Sequence, residues 1–250
     1  MALNKIQIYA TPRSGSNYLH YVLTGYTGYY WKGSPFNYRE SKNLTEDEID
    51  QNVELILCQM EELDDFVCKT HPAWFTHQLF DHMPDQRRRM LDMIDHTIVL
   101  TRKDIVSATI SMALAAMKSE WVQPYTENPI SVDIDDFLNI YCRGMYLHYV
   151  SLVENKSNVA AHQVLFYEDI DTVPRITFAK LDMCVVSKDN LKGLPTTIKK
   201  TPPKRDIITN YDELYDAAVT YFDEQRHDAI QIENGIITDI NLERLWNTQK

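Results

Sequence analysis

Glycine is scarce in this sequence, and long apolar runs are missing. The chain has 7 glycines in 250 residues, less than half of the ordinary share of about 7%. No apolar stretch reaches the roughly 18 residues that a membrane-spanning helix needs. The first residues lack the charged-then-apolar pattern of a signal peptide. We therefore expect a cytoplasmic protein that does not associate with membranes.

Cysteine and positive charge are also in short supply. The four cysteines form no C-x-x-C pair, which predicts reduced thiols in the core rather than disulfides. The 25 Lys+Arg against 36 Asp+Glu give a net charge of −11 and a pI near 5.1, so we do not expect a nucleic-acid partner. An anionic ligand would have to be held by a local group of basic side chains.

What the sequence does contain is a regular alternation of strand and helix patterns. An alternating, β-rich pattern predicts a strand over residues 5–10, and short apolar runs predict strands over 66–70, 97–101 and 163–167. The helical patterns cover residues 16–25, 45–63, 104–118, 134–154 and 211–228. This alternation predicts an α/β fold with a parallel sheet covered on both faces, in a single domain over 1–250. An Asn-Gly pair within 230–237 predicts a small hairpin.

The segment Thr11-Pro-Arg-Ser-Gly-Ser-Asn-Tyr-Leu19 lies between a predicted strand and a predicted helix. Backbone N–H groups and the positive end of the helix would point at an anion there. Gly15 allows a close approach, Ser14 and Ser16 add hydroxyl donors, and Arg13 adds a fixed charge. The segment lacks the Walker A pattern of phosphate-loop proteins. The alternative interpretation is an ordinary turn that contains an arginine.

A second segment, residues 98–121, predicts a strand that ends in an arginine and leads into a helix. Arg102 at the carboxyl end of the strand and Ser111 on the helix would both face the crevice where α/β sheets bind ligands. The alternative is an amphipathic helix that happens to carry small polar residues.

Thr-x-Arg-Ser-Gly-Ser-x-x-Leu at 11–19 resembles the 5′-phosphosulfate-binding loop of sulfotransferases that use 3′-phosphoadenosine 5′-phosphosulfate (PAPS). Leu-Thr-Arg-x-Asp-x-Val-x-x-Thr-x-Ser at 100–111 resembles their 3′-phosphate-binding motif, particularly in the trehalose and lipopolysaccharide sulfotransferase group, with Thr109 in place of the alanine of that motif. The resemblance implies a three-layer, P-loop NTPase-like α/β fold with a central parallel sheet flanked by helices. It also implies that PAPS is bound by the loop residues Arg13, Ser14, Gly15, Ser16 and Asn17 together with Arg102 and Ser111, without a metal.

Three weaker matches agree with this resemblance. The segment 164–170 resembles the family's strand ending in Tyr-Glu-Asp. Residues 67–72 resemble a Lys-Thr-His segment in which cytosolic sulfotransferases place a catalytic lysine, here Lys69, and a histidine base, here His71. Where the family has a basic loop that closes over the nucleotide, this chain has four basic residues: Lys199, Lys200, Lys204 and Arg205. The alternative for these four is a solvated charged loop.

The sequence departs from the family's pattern at the position of the general base. The trehalose-type group uses a glutamate in a Gly-x-Pro-x-Glu segment, but Asn37 stands in its place here, and an amide does not accept a proton at neutral pH. His71 is the first candidate because its ordinary pKa lies near neutrality, and Glu40 is the second. Either one has a structural alternative, a backbone hydrogen bond for His71 or a surface ion pair for Glu40. Arg13 and Lys69 would neutralise the leaving phosphate oxygen.

The function that the resemblance implies is transfer of the sulfuryl group from PAPS to a hydroxyl of a carbohydrate or other small acceptor. Sulfation of a protein tyrosine is an alternative within the family. A phosphate-loop small-molecule or nucleotide kinase is an alternative from another class, against which the missing Walker pattern counts. A silent nucleotide-binding protein that has lost its base is the third. Relatives in the trehalose group form dimers, so the resemblance also implies a homodimer.

Overall fold

A computed structural model describes residues 5–27, 30–33, 45–72, 83–117, 129–154, 162–170, 177, 181 and 203–241. The chain divides into two compact units. The first comprises 1–10, 15–101 and 155–196, and the second comprises 11–14, 102–154 and 197–250. In the described parts of both units, every helix is too short or too polar to cross a membrane.

The first unit is built on a five-stranded sheet in which all neighbouring strands run parallel. The strands are β1 (Lys5–Ala10), β2 (Tyr30–Gly33), β3 (Phe66–Thr70), β4 (His96–Thr101) and β5 (His162–Phe166). Their spatial order is β2-β3-β1-β4-β5, and Ile8 of the central β1 lies between Lys69 and Ile98. The predicted α/β fold with a central parallel sheet flanked by helices is confirmed. Four strands lie within one residue of their predicted positions, whereas β2 was not predicted.

The core of the first unit lies between β1 and the helix that follows it, α1 (Ser16–Thr27). Leu19, Val22 and Leu23 on one face of α1 are at most 1% exposed. They pack against Ile6 and Ile8 of β1. Because burial of each such side chain contributes roughly 1.5–3 kcal/mol, this contact fixes the start of α1 over the carboxyl end of β1.

Two further helices of the first unit are α2 (Glu46–Glu61) and α3 (Pro84–Met93). The predicted capping box of α2 is present: Thr45 accepts a hydrogen bond from the Glu48 N–H, and the Glu48 carboxylate accepts one from the Thr45 N–H. Arg89 of α3 forms ion pairs with Glu54 and Glu61 of α2. These contacts hold α2 and α3 side by side.

The second unit consists mainly of helices and ends in a hairpin. Its helices are α4 (Ile105–Met117), α5 (Ile134–Asp136, a π-helical segment Phe137–Cys142, and Arg143–Glu154), α6 (Lys204–Ile207) and α7 (Tyr211–Glu224). The predicted Asn-Gly hairpin is confirmed as β6 (Ile230–Glu233) and β7 (Ile236–Ile240). Asn234 and Gly235 adopt φ values of 52° and 69°, as this turn requires. All residues of α4 from Ile105 to Ala115 except Ser107 are buried, so α4 is the central helix of the unit.

Two predicted helix ends differ from the structure. Gly25 was predicted as a C-cap but lies inside α1, which continues to Thr27. Asn210 precedes α7 as predicted, but its side chain does not cap the helix. Its Oδ1 instead accepts a hydrogen bond from the Val132 N–H over 3.1 Å, because a tertiary partner competes with the local cap.

The prediction of reduced core thiols holds for two of the cysteines that the structure describes. Cys68 and Cys142 are buried, and Cys58 is exposed. Burial raises the pKa of the Cys68 and Cys142 thiols to about 12, so both stay protonated and unreactive at neutral pH. Cys184 lies outside the described residues.

Candidate functional site

The loop between β1 and α1, which carries the first predicted motif, has two residues with left-handed backbone. Arg13 and Gly15 adopt φ values of 61° and 85°, a conformation that costs energy for a residue other than glycine. Such strained residues concentrate at ligand sites, where the surrounding structure holds them in place. Left-handed residues in a turn also direct successive N–H groups to one side, which is how backbone nests bind anions. The backbone of this loop is therefore suited to an anion.

The two serines of the loop, predicted as donors to the anion, differ in their roles. Ser14 is fully buried and donates from Oγ to the carbonyl oxygen of Thr11 over 2.7 Å. Its hydroxyl therefore stabilises the loop itself in this structure. Ser16 is 6% exposed and is the first residue of α1, so its N–H is one of those that an α-helix leaves without an internal acceptor.

Gly15 is required by its surroundings as well as by its backbone. A Cβ atom at this position would lie 3.0 Å from Cδ2 of Tyr167 and 3.5 Å from Cδ1 of Ile170. Tyr167 begins the short helical turn Tyr167–Asp169 directly after β5. The Tyr-Glu-Asp segment noted in the sequence thus packs against the loop at Gly15 within the first unit.

A group of charged and polar side chains in the second unit, which we call the arginine cluster, brings residues of the two sequence motifs together. Its members are Arg13, Arg102, Asp104, Ser111 and Lys204. Arg13 donates from Nε to Oγ of Ser111 over 3.0 Å, across 98 positions of sequence. Arg102 Nη2 lies 4.0 Å from Oδ2 of Asp104, and the Arg102 side chain is 16% exposed. With Lys204 protonated, three cations and one carboxylate leave this cluster with a charge of 3 − 1 = +2.

Lys204 is the only one of the four basic residues in the predicted loop that the structure shows in this cluster. Its Nζ donates to the main-chain oxygen of Ser107 over 2.6 Å. The pKa of Lys204 is lowered to about 7, mainly by burial and to a smaller extent by the charges of Arg102 and Arg13, against the opposing effect of Asp104. The ammonium is therefore close to its titration point at neutral pH, where a bound anion would favour the charged form.

A second group, which we call the lysine cluster, lies in the first unit: Lys69 with Asn17 and His20, to which we add His71 as the residue two positions after Lys69 in the sequence. Lys69 near the end of β3 donates from Nζ to Oδ1 of Asn17 over 2.6 Å. His20 lies one turn after Asn17 in α1 and is 6% exposed. Burial and the charge of Lys69 lower the pKa of His20 to about 4. His20 is therefore neutral at pH 7, which keeps a second positive charge away from the ammonium of Lys69.

His71 follows β3 directly, and a backbone contact fixes its tautomer. Its Nδ1 lies 2.6 Å from the carbonyl oxygen of Ala10. Because a carbonyl oxygen only accepts hydrogen bonds, Nδ1 carries the proton. The basic nitrogen of the neutral ring is consequently Nε2. The predicted backbone hydrogen bond and the predicted role as a base are thus compatible, since they use different nitrogens.

The remaining predicted site residues are not part of either cluster in the described structure. Arg205 is exposed; it pairs with Asp212 at 2.6 Å and lies over the ring of Tyr211. It differs from Lys204 because the two side chains leave the short helix α6 in different directions. The predictions for Glu40, Lys199 and Lys200 fall outside the described residues.

Sequence reasoning missed Asp104 and His20. Asp104 directly precedes α4, and its Oδ1 accepts a hydrogen bond from the Ser107 N–H over 2.8 Å. An aspartate directly before a helical pattern is a recognisable cap signal. His20 could have been found from its spacing, because residues three apart share a helix face and Asn17 was already in the predicted loop.

No family model matches the chain, and no curated protein matches it.

Proposed function

We propose that this protein is a PAPS-dependent sulfotransferase that acts on a hydroxyl of a carbohydrate or other small acceptor. The observation that carries the proposal is the hydrogen bond from Arg13 to Ser111. These residues belong to the two segments that resemble the phosphosulfate loop and the 3′-phosphate motif of sulfotransferases. A fortuitous match of either segment gives no reason for the two side chains to meet.

The chemistry of the arginine cluster supports a phosphate monoester as its ligand. Arginine binds two phosphate oxygens at once in a planar geometry, and the cluster contains two arginines, Arg13 and Arg102. Ser111 holds Nε of Arg13, so the terminal nitrogens of that guanidinium would contact the leaving phosphate oxygen of PAPS. Lys204 would add a third charge. We assign the 3′-phosphate of PAPS to Arg102, Ser111 and Lys204 of this cluster, in a protein whose net charge of −11 otherwise repels anions.

The lysine cluster supports the group-transfer chemistry. Lys69 would stabilise the charge that develops on the leaving phosphate oxygen, as preorganised cations do in related transfers. Nε2 of His71 would accept the proton of the acceptor hydroxyl. The acceptor oxygen forms a bond to sulfur, the bond from sulfur to the phosphate oxygen breaks, and 3′-phosphoadenosine 5′-phosphate (PAP) leaves. Because Arg13 and Lys69 supply the positive charge, this reaction as proposed uses no metal ion.

Two finer expectations belong to the same proposal. The parallel sheet and the loop after β1 are compatible with a three-layer, P-loop NTPase-like architecture, which the sulfotransferase resemblance implies. A cytoplasmic location is compatible with the absence of a spanning helix among the described residues. Cell fractionation tests the location directly.

Titration calorimetry with PAP tests the proposed nucleotide site. We expect micromolar binding of PAP, and much weaker binding of ATP with magnesium. Arg88→Ala is a suitable control, because the Arg88 side chain is 83% exposed on α3; its affinity for PAP should equal that of the natural protein. Preference for ATP with magnesium would contradict the proposal and favour the kinase alternative. No binding of PAP would also contradict the proposal, without favouring the kinase.

A further inference from the structure

The turn that carries Arg102 is held at three successive residues by three different elements of the second unit. Arg102 follows the last residue of β4, and α4 begins at Ile105. The three residues between β4 and α4 therefore have no regular structure of their own to fix them. Each one instead has a backbone or side-chain contact with another element.

The first contact comes from Tyr149 in α5. Its side chain is fully buried, and its hydroxyl donates to the carbonyl oxygen of Arg102 over 2.5 Å, across 47 positions of sequence. A buried tyrosine hydroxyl needs a partner, and this partner is the main chain of the residue whose guanidinium lies in the arginine cluster. The contact thus sets the backbone from which the Arg102 side chain extends.

The second contact comes from the hairpin β6–β7. The Ile237 N–H donates to the carbonyl oxygen of Lys103 over 2.9 Å, and Ile236 forms an antiparallel bridge with Asp104. Through these main-chain contacts the hairpin lies along the turn between β4 and α4, as an additional strand would.

The hairpin is itself fixed on both sides. Asp223 of α7 accepts hydrogen bonds from the Asn234 and Gly235 N–H groups at 3.1 and 3.0 Å. A Cβ atom on Gly235 would lie 2.4 Å from Cγ2 of Val106, so the turn of the hairpin packs directly on the first residues of α4.

The third contact is the cap of α4, in which Asp104 accepts a hydrogen bond from the Ser107 N–H.

We propose that Tyr149 and the C-terminal hairpin are positioning elements that hold Arg102 in place for the 3′-phosphate of the nucleotide. This inference rests on the proposed function. Binding of a rigid phosphate by a guanidinium depends on placement, and preorganised groups avoid the cost of ordering on binding. Displacement of a binding group by about 1 Å is enough to lose a large factor in activity. The hairpin, far along the sequence from both motifs, thereby acquires a role in nucleotide selectivity.

Tyr149→Phe tests this role, because it removes one oxygen and leaves the buried ring. We measure the dissociation constants of PAP and of adenosine 5′-phosphate, which lacks the 3′-phosphate. Loss of one hydrogen bond to a carbonyl predicts PAP affinity lower by about tenfold, with adenosine 5′-phosphate unaffected. Tyr146→Phe is the matched control on the same helix, since its hydroxyl contacts the Arg226 carbonyl; both dissociation constants should remain unchanged.

The possible outcomes distinguish a failure of this inference from a failure of the proposed function. Equal affinities of the natural protein and Tyr149→Phe for PAP would overturn the positioning role alone. An equal loss for both nucleotides would also overturn it, because the effect would not be selective for the 3′-phosphate. Failure of the natural protein to bind PAP would overturn the proposed function and this inference together. If Tyr149→Phe does not fold, Asp223→Ala, which loosens the hairpin turn, is judged by the same ratio.

Discussion

Arg13 and Ser111 are joined by a hydrogen bond of 3.0 Å although 98 positions separate them in the sequence. The backbone of Arg13 is left-handed, and Ser111 is buried on the central helix of its unit. A strained residue at one end and a buried hydroxyl at the other restrict the guanidinium to few orientations. The bond therefore converts a flexible arginine into a fixed positive group.

Removal of side chains of the arginine cluster should weaken nucleotide binding in a graded way. A hydrogen bond to a charged group contributes about 1.5–3 kcal/mol, so Ser111→Ala should weaken PAP binding by roughly 10- to 100-fold. Arg13→Ala and Arg102→Ala would remove the proposed phosphate contacts themselves and should weaken PAP binding further. Titration calorimetry checks this order; an unchanged affinity in either arginine variant would remove that residue from the site.

Binding of PAP should depend on the protonation of Lys204. Its pKa of about 7 means that, above neutral pH, the neutral amine must take up a proton to meet an anion as an ammonium. PAP affinity should therefore fall as the pH rises above about 7, by at most about tenfold per pH unit. Lys204→Arg stays charged over this range, so its affinity should vary less with pH. A natural protein with an equally flat profile would show that Lys204 does not contact the ligand.

The lowered pKa of Lys204 also makes the free energy of unfolding depend on pH, and the direction of this dependence is defined. The unfolded state keeps the lysine protonated up to its ordinary pKa of 10.5, whereas the folded state releases the proton at about 7. Because the unfolded state binds more protons in this window, the contribution of Lys204 to the free energy of unfolding rises from pH 7 to 10.5. Thermal unfolding of the natural protein and Lys204→Met, compared at pH 7 and pH 9, measures this difference. Equal changes in both proteins would contradict the lowered pKa.

His71→Asn separates the two roles of the histidine. The asparagine amide can still donate to the Ala10 carbonyl, as Nδ1 does now, but it cannot accept a proton at neutral pH. We expect kcat to fall by about 10²- to 10⁴-fold, the usual contribution of a general base, with PAP affinity unchanged. Single-turnover rates at saturating PAPS make this comparison. A variant with the natural kcat would exclude His71 as the base and direct attention to Glu40.

Gly15→Ala should disturb the loop even though it adds one methyl group. The substitution places an L-residue at φ 85° with its Cβ 3.0 Å from the Tyr167 ring. Strain at such a backbone position costs about 1–3 kcal/mol, so we expect lower thermal stability and weaker PAP binding. Gly144→Ala is the control, because a Cβ there meets no atom within 4 Å. Equal stability of the two variants would contradict the described contact.

Much of the fold was predictable because local patterns and tertiary contacts agree in this chain. An alternating, β-rich pattern predicted β1, and short apolar runs predicted β3, β4 and β5, since a parallel sheet buries both faces of its strands. The capping box of Thr45 and Glu48 and the Asn-Gly turn of the hairpin depend on a few adjacent residues, so sequence alone identified them. Asn210 was predicted less well, because its tertiary partner at Val132 is not visible locally.

The candidate site was predictable in its residue types but not in its contacts. The motifs identified Arg13 and Ser111, yet no sequence rule states that the two side chains meet. Ser14 was expected to contact the ligand, but its hydroxyl bonds to Thr11, because a small polar side chain in a turn reaches the nearest backbone acceptor first. The different environments of the neighbours Lys204 and Arg205 follow from tertiary packing around α6, which composition does not encode.

Sulfate transfer from radiolabelled PAPS is the most direct test of the central claim. The natural protein is incubated with labelled PAPS, a metal chelator and a panel of sugars, small alcohols and a tyrosine peptide. We predict that at least one hydroxyl acceptor gains the label, with one PAP released for each sulfate ester formed, and that Arg102→Ala abolishes both. Binding of PAPS without transfer to any acceptor, or activity that Arg102→Ala retains in full, would contradict the proposed sulfotransferase.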